Sequence, residues 1–309
     1  MTQIYVTGAT GFIGQYLVKD LLEDTHQVTA SVRRLSNSLP SEIKQDVIDD
    51  ILQVSDWEEK FEMIDVIIHL AGDNGYKTGE GDKRDLETIN SELTETLARS
   101  AAQAGVKQFI FLSSAKVNGD NSSAPFTEAD LPQPNDTYAN SKLLAEQRLL
   151  KVAEETGLKV LIIRPTLVYG KGAKGNFQSL VKLVDLKLPL PFGRIHNKRN
   201  LCSLQNLSHF IQTCLTHPQI AHGVFLVADN ESLSTSDIFS EIAQAKGKSL
   251  RLVPLPSSLM KLLLGLIGKS SIADRLYGSF EVDTSKAKKL LGWQPPLKTT
   301  KAFELIFKD

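Results

Sequence analysis

Tyr138 and Lys142 stand four apart in Tyr138-Ala139-Asn140-Ser141-Lys142, which puts a phenol and an ammonium on one face of a helix. A free tyrosine titrates near pH ~10, too high for acid–base work at neutral pH, and a nearby cation favours its phenolate. Such a pair can pass a proton to or from an oxygen. An amphipathic helix with an exposed lysine would show the same spacing, so the neighbouring sequence has to decide. Upstream, Phe109-Ile110-Phe111-Leu112 is a strand-like run that ends in the hydroxyls of Ser113 and Ser114. Ser114 could hold the reacting oxygen near Tyr138; otherwise both serines simply cap a strand end.

Near the start, Thr7-Gly8-Ala9-Thr10-Gly11-Phe12-Ile13-Gly14 follows a short apolar run and opens an amphipathic one. Gly8 permits a tight turn, Gly11 lets the backbone approach a pyrophosphate, and Gly14 lets helix and strand pack closely. The helix N-terminus at Thr10, Phe12 and Ile13 offers N–H groups and partial positive charge to an anion. This context reads as a dinucleotide-binding turn. The second strand ends Ser31-Val32-Arg33-Arg34. No acid stands there to hold a ribose hydroxyl, and a guanidinium suits a 2′-phosphate. NADP(H) is therefore the expected cofactor and NAD the alternative, unless the arginine pair is only a solvated strand end. Asp50 and Ile51 would close the third strand and could flank the adenine; a plain surface acid fits as well.

The elements that must position these groups follow from periodicity. Gln3–Val6, Gln27–Val32, Val47–Leu52, Val66–Leu70, Gln108–Leu112 and Val160–Ile163 read as short buried strands. Between them, Ile13–Leu22, Trp57–Met63, Leu86–Ala104 and Tyr138–Thr156 read as helices. The alternation predicts an α/β fold, a Rossmann-type doubly wound parallel sheet. Asp73–Asp85 is polar and Gly-rich, as a loop would be. After Gly170 the pattern changes to helices at Gly175–Leu186, Leu207–Leu215, Thr235–Ala245, Ser257–Leu266 and Thr284–Leu291, with strands at Arg199–Leu204 and Val224–Val227. A dinucleotide-binding domain over 1–170, with 200–216 returning to it, and a smaller α/β substrate-binding domain over 171–199 and 217–309 are expected.

The 309 residues are 41% hydrophobic and 23% charged with a net charge of -1, which is ordinary globular chemistry without bias toward nucleic acid or membrane. The start carries no secretory pattern, and Lys261 interrupts the most apolar stretch, Leu259–Ile267, which is too short to span a bilayer. A cytoplasmic protein with no membrane insertion is expected. Cys202 and Cys214 read as free thiols, and the six scattered histidines give no metal-ligand spacing. Residues 171–199 are locally basic, with seven lysines and arginines against Asp185 alone. That segment is an anion-receiving surface or a solvated basic face, and its few aromatics argue against single-stranded nucleic acid.

Taken together, TGATGFIG, HLAG at His69–Gly72, LSSAKVNG at Leu112–Gly119, YANSK and RPTLVYG at Arg164–Gly170 resemble the extended short-chain dehydrogenases. These are the NDP-sugar epimerases, dehydratases and 4-keto reductases. The resemblance implies a catalytic triad of Ser114, Tyr138 and Lys142, with Lys142 also on the nicotinamide ribose. It implies that Leu70, Ala71 and Gly72 border the cofactor's phosphate–ribose region, that Pro165 and Val168 line the nicotinamide, and that Asn90 is a buried structural residue. It also implies a UDP-sugar substrate whose diphosphate is held by Asn176, Arg199 and Arg275, and a homodimer through the helices Leu86–Ala104 and Tyr138–Thr156. Dehydratases follow the triad hydroxyl with an Asp-Glu pair; Ala115-Lys116 stand here, which disfavours loss of water. Asn118 replaces the tyrosine of the common V-Y-G, which leaves the sugar open.

The chain looks most like bacterial 4-reductases of UDP-4-keto-6-deoxy-HexNAc, proteins often labelled UDP-N-acetylglucosamine 4-epimerases. The expectation is NADPH-dependent reduction of the 4-keto group for surface polysaccharide synthesis. The alternative is an NAD-dependent UDP-N-acetylglucosamine or UDP-hexose 4-epimerase, and the remote one a non-catalytic NADP-binding redox sensor.

Overall fold

Ten strands form in the computed structural model, which describes residues 1–73, 86–193, 195–217, 223–256 and 276–308. They are β1 (Gln3–Thr7), β2 (Gln27–Val32), β3 (Lys44–Val47), β4 (Val66–His69), β5 (Gln108–Leu112), β6 (Lys159–Pro165), β7 (Leu167–Tyr169), β8 (Arg199–Ser203), β9 (Gly223–Val227) and β10 (Ser232–Leu233). Seven make one sheet in the order β3-β2-β1-β4-β5-β6-β9, and the ladders from β3 through β6 run parallel. The order reverses between β1 and β4, and ligands of such sheets bind where the strand order turns back. Helices α1 (Phe12–Glu23), α2 (Trp57–Lys60), α3 (Leu93–Gln103) and α4 (Thr137–Thr156) supply crossovers. The expected doubly wound α/β sheet is present.

The chain divides into two units. The first holds Met1–Val117, Leu131–Arg164 and Phe210–Phe225. Its helices α2, α3 and α4 close on the sheet through Trp57, Phe61, Leu97, Phe109, Leu149 and Ile162, all buried. The second holds Asn118–Asp130, Pro165–His209 and Leu226–Asp309, with its own core around Tyr169, Phe177, Phe239 and Phe303. It contains the three-stranded sheet β10-β8-β7 and helices α5 (Asn176–Asp185), α6 (Leu204–Thr216) and α7 (Thr235–Ala245); α6 passes from this unit into the first.

Three local expectations are corrected. The third strand is Lys44–Val47, so Asp50 and Ile51 lie in the turn beyond it instead of at its end. An edge strand needs only one partner and one buried face, so β3 pairs with β2 through half-exposed residues, and the apolar run after it packs as a loop. Arg199–Ser203 joins the small sheet beside β7, and it is Gly223–Val227 that reaches the edge of the large one. The helix expected from Leu86 opens with a π-helical turn at Thr88–Glu92. The expected loop beyond Asp73 and the expected helix Ser257–Leu266 lie outside the described residues.

Candidate active site and cofactor-binding turn

β1 ends at Thr7 and the chain turns at Gly8, whose φ of +72 places it in the left-handed region. A methyl group on Gly8 would come within 2.7 Å of the Ala71 backbone nitrogen. One on Gly14 would meet the Gly8 carbonyl and lie 2.7 Å from Ala9 Cα. Only glycine allows β1, the turn after β4 and the start of α1 to approach this closely. α1 begins after Gly11 with no side-chain cap and no acid in its first turn. Its leading N–H groups therefore suit an anion, and Thr10 and Gly11 are exposed while Phe12 and Ile13 are half-buried. Leu70 donates its N–H to Thr7 (3.2 Å), which sets Leu70, Ala71 and Gly72 beside the turn, at the end of the neighbouring strand. Arg33 and Arg34 are exposed beyond the end of β2. These residues fit a dinucleotide's pyrophosphate.

Tyr138 lies in the first turn of α4, which Asp136 caps by accepting the Ala139 N–H at 2.7 Å. Ser114 stands close enough to the Tyr138 phenol to favour its ionised form, and its hydroxyl accepts the Lys116 N–H at 3.2 Å. Ser113 is committed elsewhere: its hydroxyl donates to Glu146. The structure thus brings Ser114, and not Ser113, to Tyr138. Burial pushes the Tyr138 phenol up to about 12, and the Asp136 charge adds to this, while the Ser114 hydrogen bond works the other way. Desolvation, which disfavours the phenolate, decides the direction in place of the lowering that the Tyr138–Lys142 spacing suggests.

Lys142 is 4% exposed. Its ammonium donates to the Leu112 carbonyl at 3.0 Å and sits 4.6 Å over the Phe111 ring. Burial pulls it down to about 8, against the charge of Glu146, which favours the ammonium. Glu146 lies one turn further along α4 and takes a fork from buried Arg164, with Nε at 2.9 Å and Nη2 at 2.5 Å. Sequence reasoning missed this pair. The available signal was a glutamate on the apolar face of α4 and an arginine closing the apolar strand Val160–Ile163.

A second network missed at the sequence level runs under the glycine turn. Thr7 Oγ1 lies 2.7 Å from His69 Nδ1, and His69 Nε2 lies 2.9 Å from Thr94 Oγ1. Thr94 donates to the Asn90 carbonyl at 2.8 Å. Thr94 then accepts from Nε2–H, which leaves Nδ1 to accept from Thr7. Burial, then the Lys142 charge, pulls His69 down to about 3, so the imidazole is neutral. Asn90 is fully buried, as the resemblance implied. It accepts the Asp73 N–H at 2.8 Å and donates to the Asp73 carbonyl at 2.7 Å and to Ser141 at 3.0 Å. Ser141 donates to the Tyr138 carbonyl at 2.8 Å, so Asn90 ties the turn after β4 to the first turn of α4.

In the second unit, Pro165 is buried and Val168 half-buried on β7, which pairs Val168 with Cys202 of β8. Asn176 is the exposed first residue of α5, whose N-terminus has no side-chain cap. Arg199 is half-buried and donates to the Gly278 carbonyl at 2.8 Å. Burial pulls its guanidinium down to about 10 against the attraction of Asp120. Lys171, Lys174, Lys182, Lys187 and Lys198 are exposed, while Asp185 is engaged by Lys246 and Lys248. Arg275 lies outside the described residues. No cluster of metal-ligating side chains occurs among the described residues, and none of their helices is long and apolar enough to cross a membrane.

Fold and turn together define a dinucleotide-binding α/β protein with a Ser–Tyr–Lys constellation. Comparison with known proteins is more specific. Residues 4–224 match the model of the NAD dependent epimerase/dehydratase family. A UDP-glucose 4-epimerase of Vibrio cholerae is 40% identical over 97% of this chain and 93% of its own. A 3-beta-hydroxysteroid dehydrogenase of Mycolicibacterium neoaurum is 28% identical over 97% and 89%. Among solved structures, UDP-N-acetylglucosamine 4-epimerase from Bacillus cereus superposes with a TM-score of 0.80 at 22% identity, covering 99% of this chain and 98% of its own. UDP-glucuronic acid 4-epimerase from the same organism, solved in complex with NAD, gives 0.79 at 24% identity, covering 98% and 94%. The chain belongs to the NAD dependent epimerase/dehydratase family and is an NAD(P)-dependent enzyme of that family.

Proposed function

We propose that this protein is a cytoplasmic UDP-sugar 4-epimerase that keeps NAD bound through its cycle. The observation that carries the reading is the placing of Ser114 beside Tyr138 at the head of α4, in a chain 40% identical to a UDP-glucose 4-epimerase. The Gly8–Gly14 turn, the α1 N-terminus and Leu70–Gly72 hold the cofactor's phosphates, and Lys142 its nicotinamide ribose. Bound there, the nicotinamide supplies a hydride acceptor that can return the hydride to either face of C4. The positive charge that an oxidised nicotinamide would bring, with that of Lys142, would favour Tyr138 as phenolate, which takes the proton from the C4 hydroxyl and gives it back to the carbonyl oxygen that Ser114 orients. Lys142, charged at neutral pH, favours the phenolate while the proton is away. Arg199 and the N–H groups at Asn176 hold the diphosphate; the Gly278 contact uses one of the guanidinium's five donors. Two copies pair through α3 and α4.

This reading prefers epimerisation to the 4-keto reduction expected from the sequence, since the 40% identical relative is an epimerase. The reductase remains the second reading because Arg33 and Arg34, exposed beyond β2, suit a 2′-phosphate. Incubation with UDP-glucose and with UDP-N-acetylglucosamine, without added cofactor, separates them. Appearance of the C4 epimer with co-purifying NAD is expected. No epimer, with NADPH consumed on a UDP-4-keto-6-deoxy sugar, would replace the proposal with the reductase. In that case Arg33→Asp should raise KM for NADPH far more than for NADH.

A further inference from the structure

We infer that Glu146 is a positioning residue for the reaction: anchored by Arg164, it clamps Ser113 and so fixes the strand end that holds the Lys142 ammonium and presents Ser114. The inference rests on the roles proposed above for Tyr138 and Lys142. Tyr138, Lys142 and Glu146 recur every four residues along α4 and share one face of the helix. That face meets three consecutive residues at the end of β5. The Leu112 carbonyl accepts from Lys142 at 3.0 Å, the Ser113 hydroxyl donates to Glu146, and Ser114 stands beside the Tyr138 phenol. The Ser113 N–H donates to the Ile163 carbonyl at 2.8 Å, which carries the ladder with β6 one residue past the end of β5. Arg164 follows Ile163 on β6 and reaches the same carboxylate.

The side chain of Glu146 is 2% exposed and that of Arg164 5%. Arg164 presents Nε to Oε1 at 2.9 Å and Nη2 to Oε2. A two-pronged guanidinium fixes the plane of a carboxylate as well as its place, and Oε1 is the oxygen that takes the Ser113 hydroxyl. The planar peptide between Leu112 and Ser113 carries both the Leu112 carbonyl and the Ser113 N–H. With that N–H on Ile163 and the hydroxyl on Glu146, the plane is held on both sides and the carbonyl stays turned toward Lys142. Lysine is a flexible side chain, and a fixed acceptor selects one of its conformations. Glu146 acts through Ser113 and takes no part in the proton or hydride path.

Glu146→Gln leaves Arg164 buried without its charged partner, so Ser113→Ala is the cleaner test: it cuts the link to the strand end and keeps the ion pair. On the NAD-saturated enzyme, Ser113→Ala should lower kcat for UDP-glucose about tenfold and leave KM within about twofold. Ser113→Thr, which keeps the hydroxyl, should recover kcat to within about threefold of the parent. An unchanged kcat in Ser113→Ala, or a rise in KM alone, would overturn the inference. A second measurement needs no turnover. Ser113→Ala, Lys142→Met and the double variant form a cycle in thermal melting of the cofactor-free protein at pH 7. If the clamp holds Leu112 against Lys142, the Tm shift of the double variant should differ from the sum of the single shifts by about 2 °C or more. Additive shifts would overturn the inference, since Ser113 and Lys142 would then be held independently. Absence of epimerisation in the parent would refute the proposed function, and the melting cycle would still decide whether the clamp positions Lys142.

Discussion

Lys142→Met should make the protein more stable at neutral pH while removing its activity. The ammonium of Lys142 is 4% exposed, and its pKa falls from 10.5 to about 8. That shift means charging the buried side chain is disfavoured by about 3 kcal/mol relative to the unfolded chain at neutral pH. Methionine has similar length, needs no desolvation of a charge, and leaves the Leu112 carbonyl without its 3.0 Å donor, a loss of about 1 kcal/mol. The net expectation is a gain of about 2 kcal/mol, or roughly 4 °C in Tm.

The sign has a pH signature. Between pH 8 and 10.5 the unfolded lysine holds a proton that the folded one has lost, so the parent protein gains stability as pH rises through that window. The advantage of Lys142→Met should therefore be largest below pH 8 and vanish toward pH 10.5. Thermal melting of cofactor-free protein from pH 7 to 10 measures it. Destabilisation of Lys142→Met at pH 7, or an advantage that does not change with pH, would refute the reasoning. Turnover should fall at least a hundredfold in the same variant, about 3 kcal/mol of transition-state stabilisation.

His69 should make the first unit acid-labile. With its folded pKa near 3 against 6.5, the imidazole is neutral in the fold, and stability falls as pH drops below 6.5. Urea midpoints at pH 7 and 4.5 should show a loss of about 2–3 kcal/mol from this residue, and His69→Gln should flatten the slope. Glu146→Gln strips the buried Arg164 of its charged partner and should cost about 3–5 kcal/mol in chemical denaturation; a cost under about 1 kcal/mol would show that the fork is not a buried ion pair in solution. Gly14→Ala drives a methyl group onto the Gly8 carbonyl and Ala9 backbone, which cannot yield as a side chain would. NAD affinity measured by calorimetry should fall at least tenfold, about 1.4 kcal/mol.

The central strands β1, β2, β4, β5 and β6 were legible in the sequence because buried parallel strands are short and β-branched, and crossover helices repeat every three to four residues. The edge strand β3 was not: one-sided pairing relaxes the demand for apolar residues, and Lys44-Gln45-Asp46-Val47 carries no strand pattern. The glycine turn was equally legible, since Gly8 and Gly14 answer to local geometry, a positive φ and a close helix–strand approach.

The order of motifs also singled out Ser114, Tyr138 and Lys142 as a set, by spacing along the chain. Their chemistry depends on groups distant in sequence, and those only the fold could assign. Glu146 takes Ser113 away from Tyr138, Leu112 and Phe111 hold the Lys142 ammonium, Asn90 reaches Ser141 across 51 positions, and Asp136 loads the phenol with unfavourable charge. Spacing shows which residue types share a helix face. It does not show how far each is removed from water, and desolvation is the largest influence on the proton affinity of both Tyr138 and Lys142.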